Sequence, residues 1–262
     1  MYSQEHELYL KKIKRNKLFI RMIQLLIMFS IIFLWELAAR LGWINVFITS
    51  SPSAILKTVM ALNDVNNLWK HIYATVYLTI ISFGLGTAIG FFIAIIMWTN
   101  KTLARIIDPY LTIFNSLPKV ALGPILIIWI GANQHSIIAM ALFISVIITI
   151  ISVYNGFEQI DQNKIKLMKS FQATRKQIFT KVVFPESLPT FISSLKINIS
   201  MSLIGIIMGE FLVAKVGLGY LIMYGSQVFN LNLVMSGIII LCVVATILYY
   251  FVYFLERLLI RE

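Results

Sequence analysis

The sequence predicts an all-α membrane protein of about six transmembrane helices, with a basic helical hairpin between two of them. Three observations carry that prediction. Of the 262 residues, 59% are hydrophobic and 13% charged, and the mean hydropathy is +0.87; soluble domains are nearer half apolar and a quarter charged. Several apolar runs reach the roughly 20 helical residues that cross a hydrocarbon core. The net charge of +11 gathers in alternate connections between those runs, which is a signature of topology rather than of nucleic-acid binding. Spans and short connections use up the chain. A basic N-terminal segment, 1–17, precedes a membrane domain, 18–262, whose hairpin loop covers about 157–189.

The first span is expected at 18–40, from LFIRMIQLLIMFSIIFLW into ELAAR, and the second at 72–98. The third, 108–131, is interrupted by Pro118 and Pro124. The fourth falls at 135–156, the fifth at 190–214 with Lys196 and Glu210 inside it, and the sixth at 233–256. Lys11, Lys12, Lys14, Arg15, Lys17 and Arg21 crowd the N-terminus, Lys101 and Arg105 the second connection, and Arg257 and Arg261 the C-terminus. The fourth connection holds Lys164, Lys166, Lys169, Arg175, Lys176 and Lys181, whereas the odd connections hold Lys57, Lys70 and Lys215. Basic connections stay in the cytoplasm, so both termini and the hairpin are expected there. The segment MYSQEHELYLKKIKRNK reads as a charged anchor that sets this topology, with an interfacial helix as the alternative.

Other classes are excluded by what the chain lacks. The single Cys242 sits in an apolar run and supports neither a disulfide framework nor a Cys-based metal site. His6, His71 and His135 are scattered away from ligand spacing and read as interfacial or loop histidines. The apolar run after the basic N-terminus is too long for a cleavable signal peptide. A membrane enzyme would cluster acids, histidines or cysteines on facing spans, and a secondary transporter or channel would show inverted repeats or paired mid-span acids. Neither pattern is present. No metal is expected.

The hairpin has a helical rhythm. Ile165, Met168 and Phe171, with Leu167 beside them, form one face of a short amphipathic helix, and Lys164, Lys166 and Lys169 form the other. The pattern breaks at Gln172-Ala173. Thr174 followed by Gln177 fits a capping box opening a second helix with Ile178, Phe179, Val182 and Val183 on one face, which Pro185 and Pro189 are expected to stop. An apolar stripe outside the bilayer is buried either among lipid headgroups or in a groove on a partner, and the geometry leaves both open.

The residues of this stretch, KLMKSFQATRKQIFTKVVFPESLP, resemble the cytoplasmic Glu-Ala-Ala signature loop of ABC-importer permeases. In that alignment Lys166-Leu167-Met168 replaces Glu-Ala-Ala, Gln172 replaces the usual Gly, and Val183-Phe184-Pro185 closes the motif. A Gln makes a positive φ costly there, so the turn is expected to be reshaped or shifted to Ala173-Thr174. WELAARLGWI, SSPSAILKTV, NSLPKVALGPILIIWIG, KINISMSLIGIIMGEFLVAKVGLGYLI and the last span resemble, in order, the nitrate, sulfonate and taurine branch of these permeases.

The resemblance implies a type I ABC importer permease fold in a prokaryotic inner or plasma membrane. It implies pairing with a second copy around a translocation path, cytoplasmic ABC ATPase subunits docked on the signature loops, and an extracytoplasmic substrate-binding protein. The coupling residues are then Lys166, Leu167, Met168, Phe171, Gln172, Ala173, Thr174, Arg175, Gln177, Ile178, Phe179 and Pro185. The chain has no G-x-x-x-x-G-K-[ST] phosphate loop, so ATP and Mg are expected on a separate chain and no covalent chemistry on this one. The implied cargo is a small anion such as a sulfonate, taurine or nitrate, the alternative being a vitamin or pyrimidine precursor such as riboflavin or a thiamine precursor. On this reading, charging Phe171 and Ile178 releases the ATPase and leaves the spans folded.

Polar groups within the spans are the remaining candidates. Asn115, Ser116, Pro118, Asn198, Ser200, Ser202 and Glu210 either line the path or hold helices together. Glu36 is expected near the outer interface, bonded to a neighbouring helix. Lys196 and Glu210 on one helix are about 21 Å apart and do not pair. Glu210 either contacts the loop before GLGYLI or lines an outer gate. Gly84, Gly86 and Gly90 point to close helix packing rather than a phosphate cradle.

Overall fold

A chain this apolar must satisfy its backbone polar groups internally, and among the described residues it does so with helices alone. The structure, a computed structural model, describes residues 4–64 and 67–259. Met1–Ser3 of the basic N-terminal segment and Arg261 of the basic C-terminus lie outside them. The elements run α1 (Gln4–Arg40), α2 (Val46–Thr49), α3 (Pro52–Asp64), α4 (Asn67–Thr99), α5 (Lys101–Ser116), α6 (Gly123–Ile130), α7 (Gln134–Glu158), α8 (Gln162–Ser170), α9 (Arg175–Ile178), α10 (Phe184–Val213), α11 (Leu218–Gln227) and α12 (Leu231–Leu259). Five helical stretches are long and apolar enough to cross a membrane, and six if a bent pair counts as one span.

That bent pair is the expected third span, and it breaks at the first of the two expected prolines but not at the second. The chain turns by 88° between α5 and α6. Pro118 stands at the turn, ahead of a short 3₁₀ segment, Lys119–Leu122. Pro124 does not interrupt a helix: it lies in the first turn of α6, where a missing N–H costs nothing. The proline inside a helix here is Pro109, in α5. The N-terminal segment is also not separate from the first span, because α1 continues from Gln4 to Arg40 without a break.

The core is built around α7, which packs along α10 on one side and α4 on the other. Small residues set that spacing. A Cβ on Gly86 would fall 2.6 Å from Ser145 Oγ, and one on Gly90 would fall 2.6 Å from Thr149 Cβ. Across the opposite interface Gly205 lies against the Ala141 backbone and Gly209 against Ile137. Apolar helices in lipid gain little from hydrophobic burial against each other, so such backbone approach supplies the attraction. Gly84 does not share this role, since nothing lies within 4 Å of its Cβ position.

α1 has no place in this core. Its apolar side chains from Leu18 to Leu34 are exposed, and it leans on α3. There Glu36 accepts the Ser53 N–H at the start of α3 (3.0 Å) and the Arg40 Nε–H (2.7 Å). The expected bond from Glu36 to a neighbouring helix is thus present. Lys196 and Glu210 do not meet, also as expected; Lys196 pairs instead with Glu256 of α12 at 2.6 Å and lies 5.2 Å from the Tyr253 ring centroid.

Gly205→Ala is expected to lower the unfolding temperature of the detergent-solubilised protein, because overpacking a close contact costs about 1–3 kcal/mol. Gly84→Ala should leave it unchanged. Equal shifts in scanning fluorimetry would contradict the packing described.

Candidate coupling hairpin and the polar groups within the spans

The hairpin is two short helices joined by a tight turn, and each end has its own local cause. Asp161 caps α8 by accepting the Asn163 N–H at 2.8 Å. At the other end, Ala173 N–H donates to Met168 O (3.1 Å) and Gln172 N–H to Lys169 O (2.9 Å). That pair of bonds is a Schellman closure, with Gln172 at the left-handed position. Its φ is +57°, so the turn is neither shifted nor reshaped. The Gln accepts the conformation that a Gly takes more cheaply, at about 1 kcal/mol. Thr174 and Gln177 form the expected capping box: Thr174 Oγ1 accepts the Gln177 N–H at 3.3 Å, and Gln177 Oε1 accepts the Thr174 N–H at 2.8 Å.

The prolines do not stop the second helix. α9 passes through a π turn, Phe179–Val183, straight into α10, so Arg175–Val213 is one stretch of 39 residues. Pro185 brings no N–H and its ring clashes with the carbonyl four residues back. A locally widened turn before it relieves both problems.

The apolar stripe divides between two destinations. Ile165, Ile178 and Val183 are buried in a cluster with Ala94 of α4 and Val153 and Phe157 of α7. The Phe179 ring lies 5.5 Å from Phe157 and 5.3 Å from Trp98, centroid to centroid. Arg175 Nη1 donates to the Thr99 carbonyl at the end of α4 at 2.6 Å. Lys164 pairs with Glu186 at 2.7 Å, which raises the lysine's pKa, though an exposed pair adds little stability. Leu167 and Phe171 face outward at 57% and 72% exposure, while Ile178 is 3% exposed. Lys166, Gln172, Thr174 and Gln177 are exposed, Met168 and Ala173 half-buried. Ile178 therefore belongs to the subunit's own core, and charging it would strike the fold rather than a docking face.

At the opposite end of α10 lies a second constellation, only part of which was legible beforehand. α11 begins at Leu218, and its first amides need acceptors. Gly217 N–H donates to His71 Nδ1 (2.9 Å), Leu218 N–H to Thr75 Oγ1 (2.8 Å) and Gly219 N–H to Glu210 Oε2 (2.7 Å). Thr75 Oγ1 donates in turn to Glu210 Oε1 at 2.8 Å. His71 Nδ1 also lies 3.1 Å from the Gly217 carbonyl oxygen, so one ring nitrogen meets both backbone polar groups of that residue. Glu210 is 1% exposed and packs against the Gly217–Gly219 turn, where a Cβ on Gly217 would collide with its carboxyl group. The Glu210 carboxyl contacts the Gly217–Gly219 turn that opens GLGYLI rather than the residues before it. His71 is buried rather than interfacial. Neither α11 nor the parts of His71 and Thr75 had a sequence signal beyond the Gly pair in VGLGY.

The other path candidates separate in the same way. Asn198 is buried and donates to Thr87 Oγ1 of α4 at 2.6 Å, and Ser202 bonds Asn198 Oδ1 at 3.4 Å. Asn198 thus ties α10 to α4, while Ser202 braces it from one turn along the same helix. Asn115, Ser116, Pro118 and Ser200 are exposed on the subunit; Asn115 accepts from Lys119 Nζ (3.0 Å), while Ser116 and Ser200 bond their own helix backbones.

Residues 86–261 match the family profile described as "Binding-protein-dependent transport system inner membrane component". The formylaminopyrimidine transport permease protein ThiX of Halalkalibacterium halodurans is 27% identical, over 71% of this chain and 74% of its own. The taurine transport system permease protein TauC of Escherichia coli is 23% identical, over 82% and 80%. Among solved structures, an inward-facing conformation of the MetNI methionine ABC transporter superposes with a TM-score of 0.66 at 19% identity, covering 76% of this chain and 99% of that one. The fold is that of type I ABC importer permeases.

Gln172→Gly is expected to stabilise the hairpin by about 1 kcal/mol through relief of the left-handed backbone; an unchanged or lower unfolding temperature would refute it. Ile178→Asp should reduce folded yield sharply, because it buries an unpaired charge. Glu210→Ala should cost about 1–3 kcal/mol for each buried group it leaves unpaired, and Glu210→Gln less, since one acceptor survives. Equal losses for the two Glu210 variants would show that the carboxyl only fills space.

Proposed function

The chain belongs to the family of binding-protein-dependent transport system inner membrane components, and from that premise we propose that its hairpin couples a separate ATPase to a path formed with a second permease copy. As an ABC importer permease it is a multi-pass transport protein of the inner membrane and not an enzyme. ATP and Mg bind the partner chain. An extracytoplasmic binding protein delivers the cargo, and both termini lie in the cytoplasm with the hairpin.

The observation that carries this reading is the division of the hairpin into two faces. Its inner face is keyed to the ends of α4 and α7 through Ile165, Ile178 and Arg175. Its outer face leaves Leu167 and Phe171 uncovered. A docking element needs both: an apolar anchor for the partner and a stiff link to what it moves. The coupling residues then fall into two groups. Leu167 and Phe171, with Lys166, Met168, Gln172 and Ala173 around them, meet the ATPase. Thr174, Arg175, Gln177, Ile178, Phe179 and Pro185 carry its displacement into α10. For the path, Asn115, Ser116, Pro118 and Ser200 remain candidates because they are exposed on the isolated subunit, whereas Asn198, Ser202 and Glu210 make contacts within it.

For the cargo we propose a small sulfonate-type anion such as taurine, the substrate named for the relative TauC. A pyrimidine precursor is the second reading, favoured by the likeness to ThiX.

The double variant Leu167→Asp/Phe171→Asp tests the coupling. It is expected to elute and unfold like the parent in detergent, yet to bring down at least tenfold less ATPase from native membranes. Undiminished ATPase recovery would sink the docking assignment. In proteoliposomes with both partners, taurine is expected to stimulate ATP hydrolysis and formylaminopyrimidine not to; the reverse would transfer the cargo to the second reading.

A further inference from the structure

Between the hairpin and the α4–α5 turn lies a cavity of about 550 Å³ that the coupling reading does not use. Lys101, Lys169 and Arg175 line it against one carboxylate, Glu158. Lys101 and Lys169 take part in no ion pair among the described residues, and Arg175 reaches the Thr99 carbonyl through Nη1. Trp98 and Asn100 add to the wall where α4 ends. Three cations lining one roomy pocket suit an anion with several oxygen acceptors. The presence of Trp98 in the wall narrows its chemistry further. Trp is the residue of the membrane–water interface, and basic pockets between helices on the cytoplasmic side take phosphate headgroups.

We propose that this cavity binds a phosphate-bearing anion, the chemistry shared by an anionic phospholipid headgroup and free phosphate. Such an anion would bridge Lys169 and Arg175 of the hairpin to Lys101 of α5, and so stiffen the joint between hairpin and spans. Binding rests on the cytoplasmic placement of the hairpin proposed above but not on the docking of an ATPase; only the consequence for transport needs that.

Native mass spectrometry of the full-length subunit, titrated with phosphatidylglycerol and separately with phosphatidylcholine, tests the site. Lys101→Gln/Lys169→Gln removes two cations without touching the Arg175–Thr99 bond. It is expected to weaken phosphatidylglycerol retention roughly tenfold or more, at about 1 kcal/mol per cation, and to leave phosphatidylcholine unchanged. Lys166→Gln/Lys176→Gln, which lies outside the lining, should retain phosphatidylglycerol like the parent. A second arm follows the unfolding temperature with inorganic phosphate. A stabilisation lost in the cavity variant, without a lipid effect, would assign the same site to free phosphate. Equal retention in all three proteins with no phosphate response, or equal loss in both variants, would overturn the proposal.

Discussion

Everything in this fold answers to one constraint: a backbone N–H or C=O that leaves water without a partner costs several kcal/mol. Long helices meet it along their length, so the critical places are the ends and breaks. The capture of three successive amides at the start of α11 by His71, Thr75 and Glu210 is the clearest case. It lets a helix begin among packed spans, and it ties α4 and α10 to α11, which in turn rests on α12. Remove those acceptors and the turn at Gly217 loses its reason to be where it is. The Schellman closure at Gln172 and the π turn before Pro185 are smaller solutions to the same problem.

Features that depend on local sequence were legible beforehand. The spans announced themselves by length and apolarity, the capping box by Thr174 and Gln177, and the helix packing by Gly86 and Gly90. Features that depend on distant partners were not. His71 is separated from Gly217 by 146 residues, and no periodicity links them. The prolines misled because a proline's local veto on helix can be met by a widened turn, as at Pro185, or by a place in a helix's first turn, as at Pro124. The apolar stripe of the hairpin was visible as a stripe. Which half of it faces the subunit's own core was not, because that depends on how α4 and α7 end beneath it. Gln172 shows the same limit, since its intrinsic cost was foreseen and its conformation was decided by the two bonds that close the turn.

This arrangement gives the two ends of α10 different characters. At the hairpin end, aromatic rings of Phe157, Phe179 and Trp98 mesh with aliphatic side chains, a contact that tolerates small rotations. At the α11 end, directional hydrogen bonds to buried groups tolerate very little. A subunit of an importer has to move, and the structure concentrates its least yielding contacts at one end of the helix that spans both regions.

The unbroken run from Arg175 to Val213 has a consequence of scale. At helical rise its 39 residues extend over about 58 Å. Pivoted near one end, a rod of that length carries the other end through roughly 10 Å for each 10° of tilt, at a rise of about 1.5 Å per residue. A flexible joint between hairpin and span would dissipate such gearing. By routing the chain through a π turn instead of a loop, the fold keeps hairpin and span in one helical stretch, so that a tilt about the firmly held α11 end would move the hairpin end by as much as the width of a small organic molecule.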